Sequence, residues 1–340
     1  MRKQNRLKDK LTKFIGIIII ILIISNFIPT PYMMTTPGVA KELSPLITVK
    51  DGYKENIRGK FMLTAVGSKR ATVLDVIKIT ILSPEGYELT PRQQQIPEGM
   101  EMSQYIDIMA NLMEESKVKS QAVALKKAGY EVSFEGTGNG AEIVQVMEDG
   151  AAKGKLESGD IITAVDGKEV KLASDAVNLI RAKKIGEKID LTIENNGNKK
   201  VITLETVELE ENPGKPSIGV LIITKDLTYD FPREISFNTD NVVGPSAGSV
   251  FTLEIYNQLT PEDITKGKKI AGTGTISLDG KIGMIDGILQ KIITADEAGA
   301  DIFLTPAENY EKAQETTRDI KLVKVETIDD VLYFLENELE

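Results

Sequence analysis

Residues 272–309 read GTGTISLDGKIGMIDGILQKIITADEAGADIFLTPAEN, and short β-branched runs alternating with one apolar helix make this stretch the key to the fold. Strands flank the turn Leu278-Asp279-Gly280, a helix runs from Ile285 to Ala298, a strand follows at Asp301 to Leu304, and another helix starts at Ala307. Ile288 and Ala295, three before and four after Lys291, share its face, so apolar side chains wall in the lysine. Upstream, Gly244-Pro245-Ser246-Ala247-Gly248 places a serine where a glycine-rich turn enters a helix expected from Ala247 to about Gln258. Small neighbours let a substrate backbone approach such a hydroxyl, and N–H groups at a helix start suit an oxyanion. On this pentapeptide alone a serine in such a place is more often an N-cap.

Outward from this block the pattern stays mixed. Strands are expected at Ile218 to Ile223, Glu234 to Phe237 and Lys321 to Val325, with a last helix from Ile328. A Pro/Gly linker, Asn212 to Pro216, separates them from a unit at 128–209. That unit has strands at Ala141 to Met147, Gly159 to Val165, Lys188 to Ile193 and Lys200 to Val207, and a helix at Ser174 to Lys183 with Ser174 as N-cap. Nearer the start, strands are expected at Lys60 to Val66 and Thr72 to Ile81, and Met102 to Lys127 carries helical spacing.

The 340 residues include no cysteine, histidine or tryptophan. That excludes a Ser-His-Asp triad, a Cys-His dyad, a His-ligated zinc site and disulfides. A hydrolase built from this inventory needs Lys, Asp, Glu, Tyr or an amino terminus as its base. Net charge is −10, although Arg2, Lys3, Arg6, Lys8, Lys10 and Lys13 crowd the start. An acidic body of this kind does not neutralise phosphates, so nucleic acid is not an expected partner. Every Gly-Lys pair is followed by something other than Ser or Thr, so there is no phosphate loop for ATP.

No charge appears between Lys13 and Lys41, and the basic flank followed by apolar residues 14–34 predicts a transmembrane helix with a cytoplasmic tail at 1–13. A cleaved signal peptide is the other reading of the same pattern.

Residues 140–170, GAEIVQVMEDGAAKGKLESGDIITAVDGKEV, resemble the central part of a PDZ domain of the bacterial protease type. Such domains add an extended peptide to a sheet edge. The resemblance implies that Gly129, Tyr130, Glu131 and Val132 form the loop that captures a peptide carboxylate, with the receiving strand through Ser133 and Phe134. The 272–309 block together with GPSAG resembles the proteolytic domain of Lon-type serine peptidases, which use a Ser-Lys dyad. Carried over, Ser246 is the nucleophile, Lys291 the general base, Thr273 the residue that holds the lysine, and Gly244, Pro245 and Ala247 the oxyanion loop. The chain departs from common Lon patterns at Val242-Val243 and Thr275.

The whole arrangement resembles the PDZ-containing Lon-like membrane proteases of Gram-positive bacteria. The implied fold is α+β: a transmembrane helix, then a Lon-type domain whose parts at 36–126 and 211–340 enclose a PDZ insertion at 127–210, a barrel-like sandwich with helices. The implied function is ATP-independent cleavage, on the extracellular face and without metal or cofactor, of secreted peptides such as signalling pheromone precursors, or of exported and membrane proteins. Broad quality control of membrane proteins and a non-catalytic PDZ scaffold are the alternatives.

Overall fold

A computed structural model describes residues 2–96, 100–132, 138–209, 212–226, 231–239 and 242–339, with backbone alone at 2–11 and 212–213. Helix α1 (Arg2–Ser25) leads into strands β1 (Pro29–Glu42), β2 (Ile47–Val49) and β3 (Lys60–Thr72), helix α2 (Val73–Leu82), strand β4 (Glu88–Pro91) and helices α3 (Arg92–Gln95) and α4 (Met102–Lys127). A second group comprises β5 (Ala141–Val146), β6 (Ile161–Val165), β7 (Lys168–Glu169), α5 (Ala173–Arg181), β8 (Lys188–Asn195), β9 (Asn198–Glu205), β10 (Val207–Leu209), β11 (Asn212–Ser217) and β12 (Val220–Thr224). The chain then runs through β13 (Ile235–Phe237), α6 (Gly248–Leu259), β14 (Lys269–Gly272), β15 (Thr275–Ile276) and β16 (Ile282–Gly283). It closes with α7 (Ile288–Glu297), β17 (Ile302–Pro306), α8 (Tyr310–Ala313), β18 (Lys321–Val325) and α9 (Ile328–Asn337).

One six-stranded sheet, in the order β18-β17-β14-β3-β1-β4, joins the early and late parts of the chain. The seam is parallel: Lys269–Gly272 lies beside Lys60–Leu63, and Ile270–Gly272 beside Ile302–Leu304. Side chains on a strand alternate between faces, and here both faces are buried. Phe61, Leu63, Ile270 and Leu304 enter one core with Val250, Phe251 and Leu253 of α6. Their neighbours Met62, Ala271 and Phe303 enter another with Ile288, Ile292 and Ala295 of α7. The helices α6 and α7 therefore cover opposite faces of the same sheet. The second group forms its own sheet, β12-β5-β6-β8-β9, around a separate core containing Ile143, Ile162, Ile180, Leu191 and Leu204.

Four sequence expectations are corrected. Among the described residues no helix is long and apolar enough to cross a membrane, so the transmembrane helix expected at 14–34 is not formed. Helix α1 ends at Ser25, and its apolar part from Phe14 rises only about 18 Å at 1.5 Å per residue, against about 30 Å of hydrocarbon. The chain turns through Asn26 and Phe27, and Pro29 onward joins the large sheet, where Met33 and Met34 are buried.

Thr72 to Ile81, expected as a strand, is helix α2. The Thr72 hydroxyl accepts from Asp75 N–H while the Asp75 carboxylate accepts from Thr72 N–H, and this reciprocal cap outweighs the β-branched composition. Helix α5 starts one residue before Ser174, its Ala173 N–H being received by Thr224 Oγ1 of β12 at 3.0 Å. The segment expected as a linker is strand β11, paired with β10.

Candidate active site

The loop after Val242 is held from three sides before it enters α6. Gly244 N–H donates to Met109 O of α4 at 2.9 Å, and Ser116 Oγ, also on α4, donates to Pro245 O at 3.1 Å. Ser246 O accepts from Gly274 N–H at 2.7 Å and from Thr273 Oγ1 at 3.0 Å. Glycine is required at two contacts. A Cβ on Gly248 would stand 2.6 Å from Ile276 Cγ2 and 2.7 Å from Ser116 Oγ; one on Gly274, whose φ is +147°, would stand 2.4 Å from Ile282 Cγ2. Residues 245–247 form a single 3-10 turn, so Ser246 lies just ahead of the helix rather than at its cap, which is Ala247.

Ser246 and Lys291 meet at the carboxyl end of β14. Lys291 projects from α7 on one face of the sheet and Ser246 precedes α6 on the other; Lys291 Nζ lies 2.9 Å from Ser246 Oγ and donates to Thr273 Oγ1 at 3.0 Å. Lys291 is 3% exposed and Thr273 1%. Burial disfavours the ammonium form and lowers the Lys291 pKa to about 8, opposed by the carboxylate of Asp286. Because the Thr273 hydroxyl donates its hydrogen bond to Ser246 O, it accepts one from an N–H of the lysine. The lone pair of a neutral amine is then left to face the serine hydroxyl.

Beside Pro245 opens a cleft of about 800 Å³, bounded by Leu112, Glu115 and Lys119 of α4 and by Ile276 and Ile282 of the β15–β16 hairpin. Its walls mix apolar side chains with charged ones: the Glu115–Lys119 ion pair (2.6 Å), Lys281, Glu308 and Glu326. Among the described residues no group of acidic side chains is arranged to hold a metal ion.

The structure brings Ser246, Thr273 and Lys291 together and places Pro245 and Ala247 in the turn around them. Gly244 belongs to the loop, but its N–H is already committed to Met109. The segment Gly129–Val132 lies elsewhere: Gly129 and Tyr130 close the end of α4 through Lys126 O and Leu125 O, and Tyr130 and Val132 pack on the core of the large sheet. Ser133 and Phe134 fall outside the described residues. At the β5 side of the second sheet, the last described strand is β12.

Sequence reasoning missed Ser116 and Asp286 at the site, and Ser120, which joins α4 to α6 behind it. The available signal was two serines four apart on a helix whose neighbouring positions Met113 and Val123 are apolar: polar groups on a buried stripe need partners.

Two family models match separate segments of the chain. Residues 240–337 match the C-terminal proteolytic domain of Lon protease (S16), and residues 131–206 match the PDZ domain. The Lon protease of Campylobacter concisus is 39% identical over 94 residues, which is 26% of this chain and 11% of the relative. That of Haemophilus influenzae is 37% identical over 99 residues, 28% of this chain and 12% of the relative. A probable periplasmic DegP-like serine endoprotease of Pseudomonas fulva is 38% identical over 76 residues, 22% of this chain and 16% of the relative. The chain thus spans only about a ninth of the length of the Lon relatives. The chain carries a segment matching a PDZ domain followed by one matching the proteolytic domain of a Lon-type serine peptidase.

Proposed function

We propose that this chain is a serine endopeptidase in which Ser246 is the nucleophile and Lys291 the general base. The supporting observation is the 2.9 Å approach of a buried, pKa-lowered lysine to a serine in a chain without histidine. Neutral Lys291 takes the Ser246 Oγ proton as Oγ attacks the peptide carbonyl, and returns it to the leaving amine as the C–N bond breaks. Water then attacks the ester on Ser246, its proton passing to the same lysine and on to Ser246 Oγ as the ester C–O bond breaks and the acid product leaves. Nothing in this scheme needs ATP or a metal. Without an unfolding motor the substrate is a flexible peptide or an unfolded segment.

The PDZ domain raises the local concentration of such a segment by adding it to a sheet edge. Precursors of secreted signalling peptides and exported proteins with flexible ends are the candidate substrates, on the family resemblance. The basic start followed by the apolar run from Phe14 to Ile24 has the proportions of an export signal, and on that ground the two domains act outside the cytoplasm; recovery of active protease from the cytoplasmic fraction alone counts against this placement.

The test is mass spectrometry of a panel of secreted peptides and an unfolded protein mixed with the full chain, Ser246→Ala and Lys291→Ala, with and without EDTA and ATP. Discrete cleavage lost in both variants and indifferent to both additives is the expected result. Peptides bound but not cut by the unsubstituted chain would instead indicate a tethering module.

A further inference from the structure

We propose that Ser116 of α4 is a positioning residue for this chemistry, orienting the Ser246 N–H as the oxyanion donor; the inference rests on the Ser246–Lys291 reading above. Among the N–H groups flanking the nucleophile, Pro245 has none, Gly244 donates to Met109 O and Gly248 donates to Pro245 O. The Ser246 N–H belongs to the nucleophile's own residue. Its direction is set by the Pro245–Ser246 peptide plane, because the C=O and N–H of a trans peptide point opposite ways. Ser116 Oγ, 2% exposed, holds the C=O side of this plane toward α4 at 3.1 Å, which turns the N–H away from α4.

The neighbouring plane is fixed independently, since Ser246 O is held by Gly274 N–H and Thr273 Oγ1. Two successive peptide planes around the nucleophile are thus pinned from different elements, one by a helix contributed from the early part of the chain and one by the end of β14. Loss of the Ser116 hydrogen bond leaves Pro245 O with the Gly248 N–H alone and frees the plane to rock. An oxyanion donor must be aimed before the charge develops, so rocking weakens the transition state while leaving substrate binding nearly intact.

Ser120 supplies the control. It is fully buried on the same helix and donates to Ser116 O at 2.7 Å and Gly248 O at 2.8 Å, but touches neither plane beside the nucleophile. The experiment measures kcat, KM, Tm and affinity for a peptide boronate, whose tetrahedral adduct on the serine carries an oxygen at the oxyanion position. It compares the full chain with Ser116→Ala, Ser116→Cys and Ser120→Ala.

Ser116→Ala is expected to lower kcat about 10- to 100-fold, somewhat less than outright removal of an oxyanion donor, with KM within about threefold and boronate affinity reduced by the same factor as kcat. The near-isosteric Ser116→Cys, a weak donor, is expected to fall between wild type and alanine. The pH midpoint of activity stays in place in both, and Ser120→Ala loses Tm while keeping kcat. Ser116 variants that retain kcat and boronate affinity within about threefold overturn the proposal, as does Ser120→Ala losing kcat as much as Ser116→Ala. If the unsubstituted chain neither cleaves nor binds the boronate, or if Ser246→Ala still cleaves, it is the dyad reading that has failed.

Discussion

Thr273 touches both members of the proposed catalytic pair: its hydroxyl donates to the backbone carbonyl of Ser246 at 3.0 Å and accepts from Lys291 Nζ at 3.0 Å. A side chain with that double commitment fixes where the lysine lone pair points. Thr273→Val keeps the shape but leaves a Lys291 N–H without this acceptor and Ser246 O with Gly274 alone. The expected result is a kcat reduced about 100-fold with the fold retained, checked by steady-state kinetics beside a thermal melt.

Activity should rise with pH through the Lys291 pKa of about 8, since only the neutral amine accepts the serine proton. Asp286 pushes that pKa upward, against the effect of burial. Asp286→Asn is therefore expected to move the midpoint of the kcat/KM profile to lower pH, and a profile that stays in place or moves upward contradicts the assignment of Lys291 as the base.

Lys291 also bears on stability. Its folded pKa of about 8 lies below the ordinary 10.5, so the unfolded chain binds more protons between these values and stability rises as pH climbs through that window. Below about pH 8 the full penalty for burying the ammonium applies, on the order of 3 kcal/mol. Lys291→Met is expected to abolish cleavage yet raise Tm at pH 7, with the gain shrinking toward pH 10. Melting curves at both pH values provide the check.

Gly248 sits where α4, α6 and the β15–β16 hairpin converge. Gly248→Ala puts a methyl 2.6 Å from Ile276 and 2.7 Å from the Ser116 hydroxyl, so α4 or the hairpin has to withdraw. We expect a cost of about 1–3 kcal/mol, typical of overpacking, and a loss of activity out of proportion to it, read by denaturant unfolding alongside turnover. Full activity in this variant would mean that the α4 contact is dispensable.

The sequence by itself determined the elements whose periodicity is strong and local. Met102–Lys127 is read from apolar spacing alone, the strand at Asp301 to Leu304 is found as Ile302–Pro306, and Ser246, Thr273 and Lys291 are singled out by their motifs. Only the tertiary structure decided features that depend on residues far apart in the chain. Whether Phe14 to Met34 is one helix turned on the pairing of Met34 with Lys69 and Leu89, which draws its second half into a sheet. The cap of α5 came from Thr224, about fifty residues away, and the N–H groups of Gly129 and Tyr130 close the end of α4. The clamp of Ser116 on Pro245 is of the same kind, since it depends on a side chain 129 residues from its acceptor. Periodicity and capping act within a few residues and can be read along the chain, whereas a hydrogen bond between distant segments exists only once burial has removed water as the competing partner.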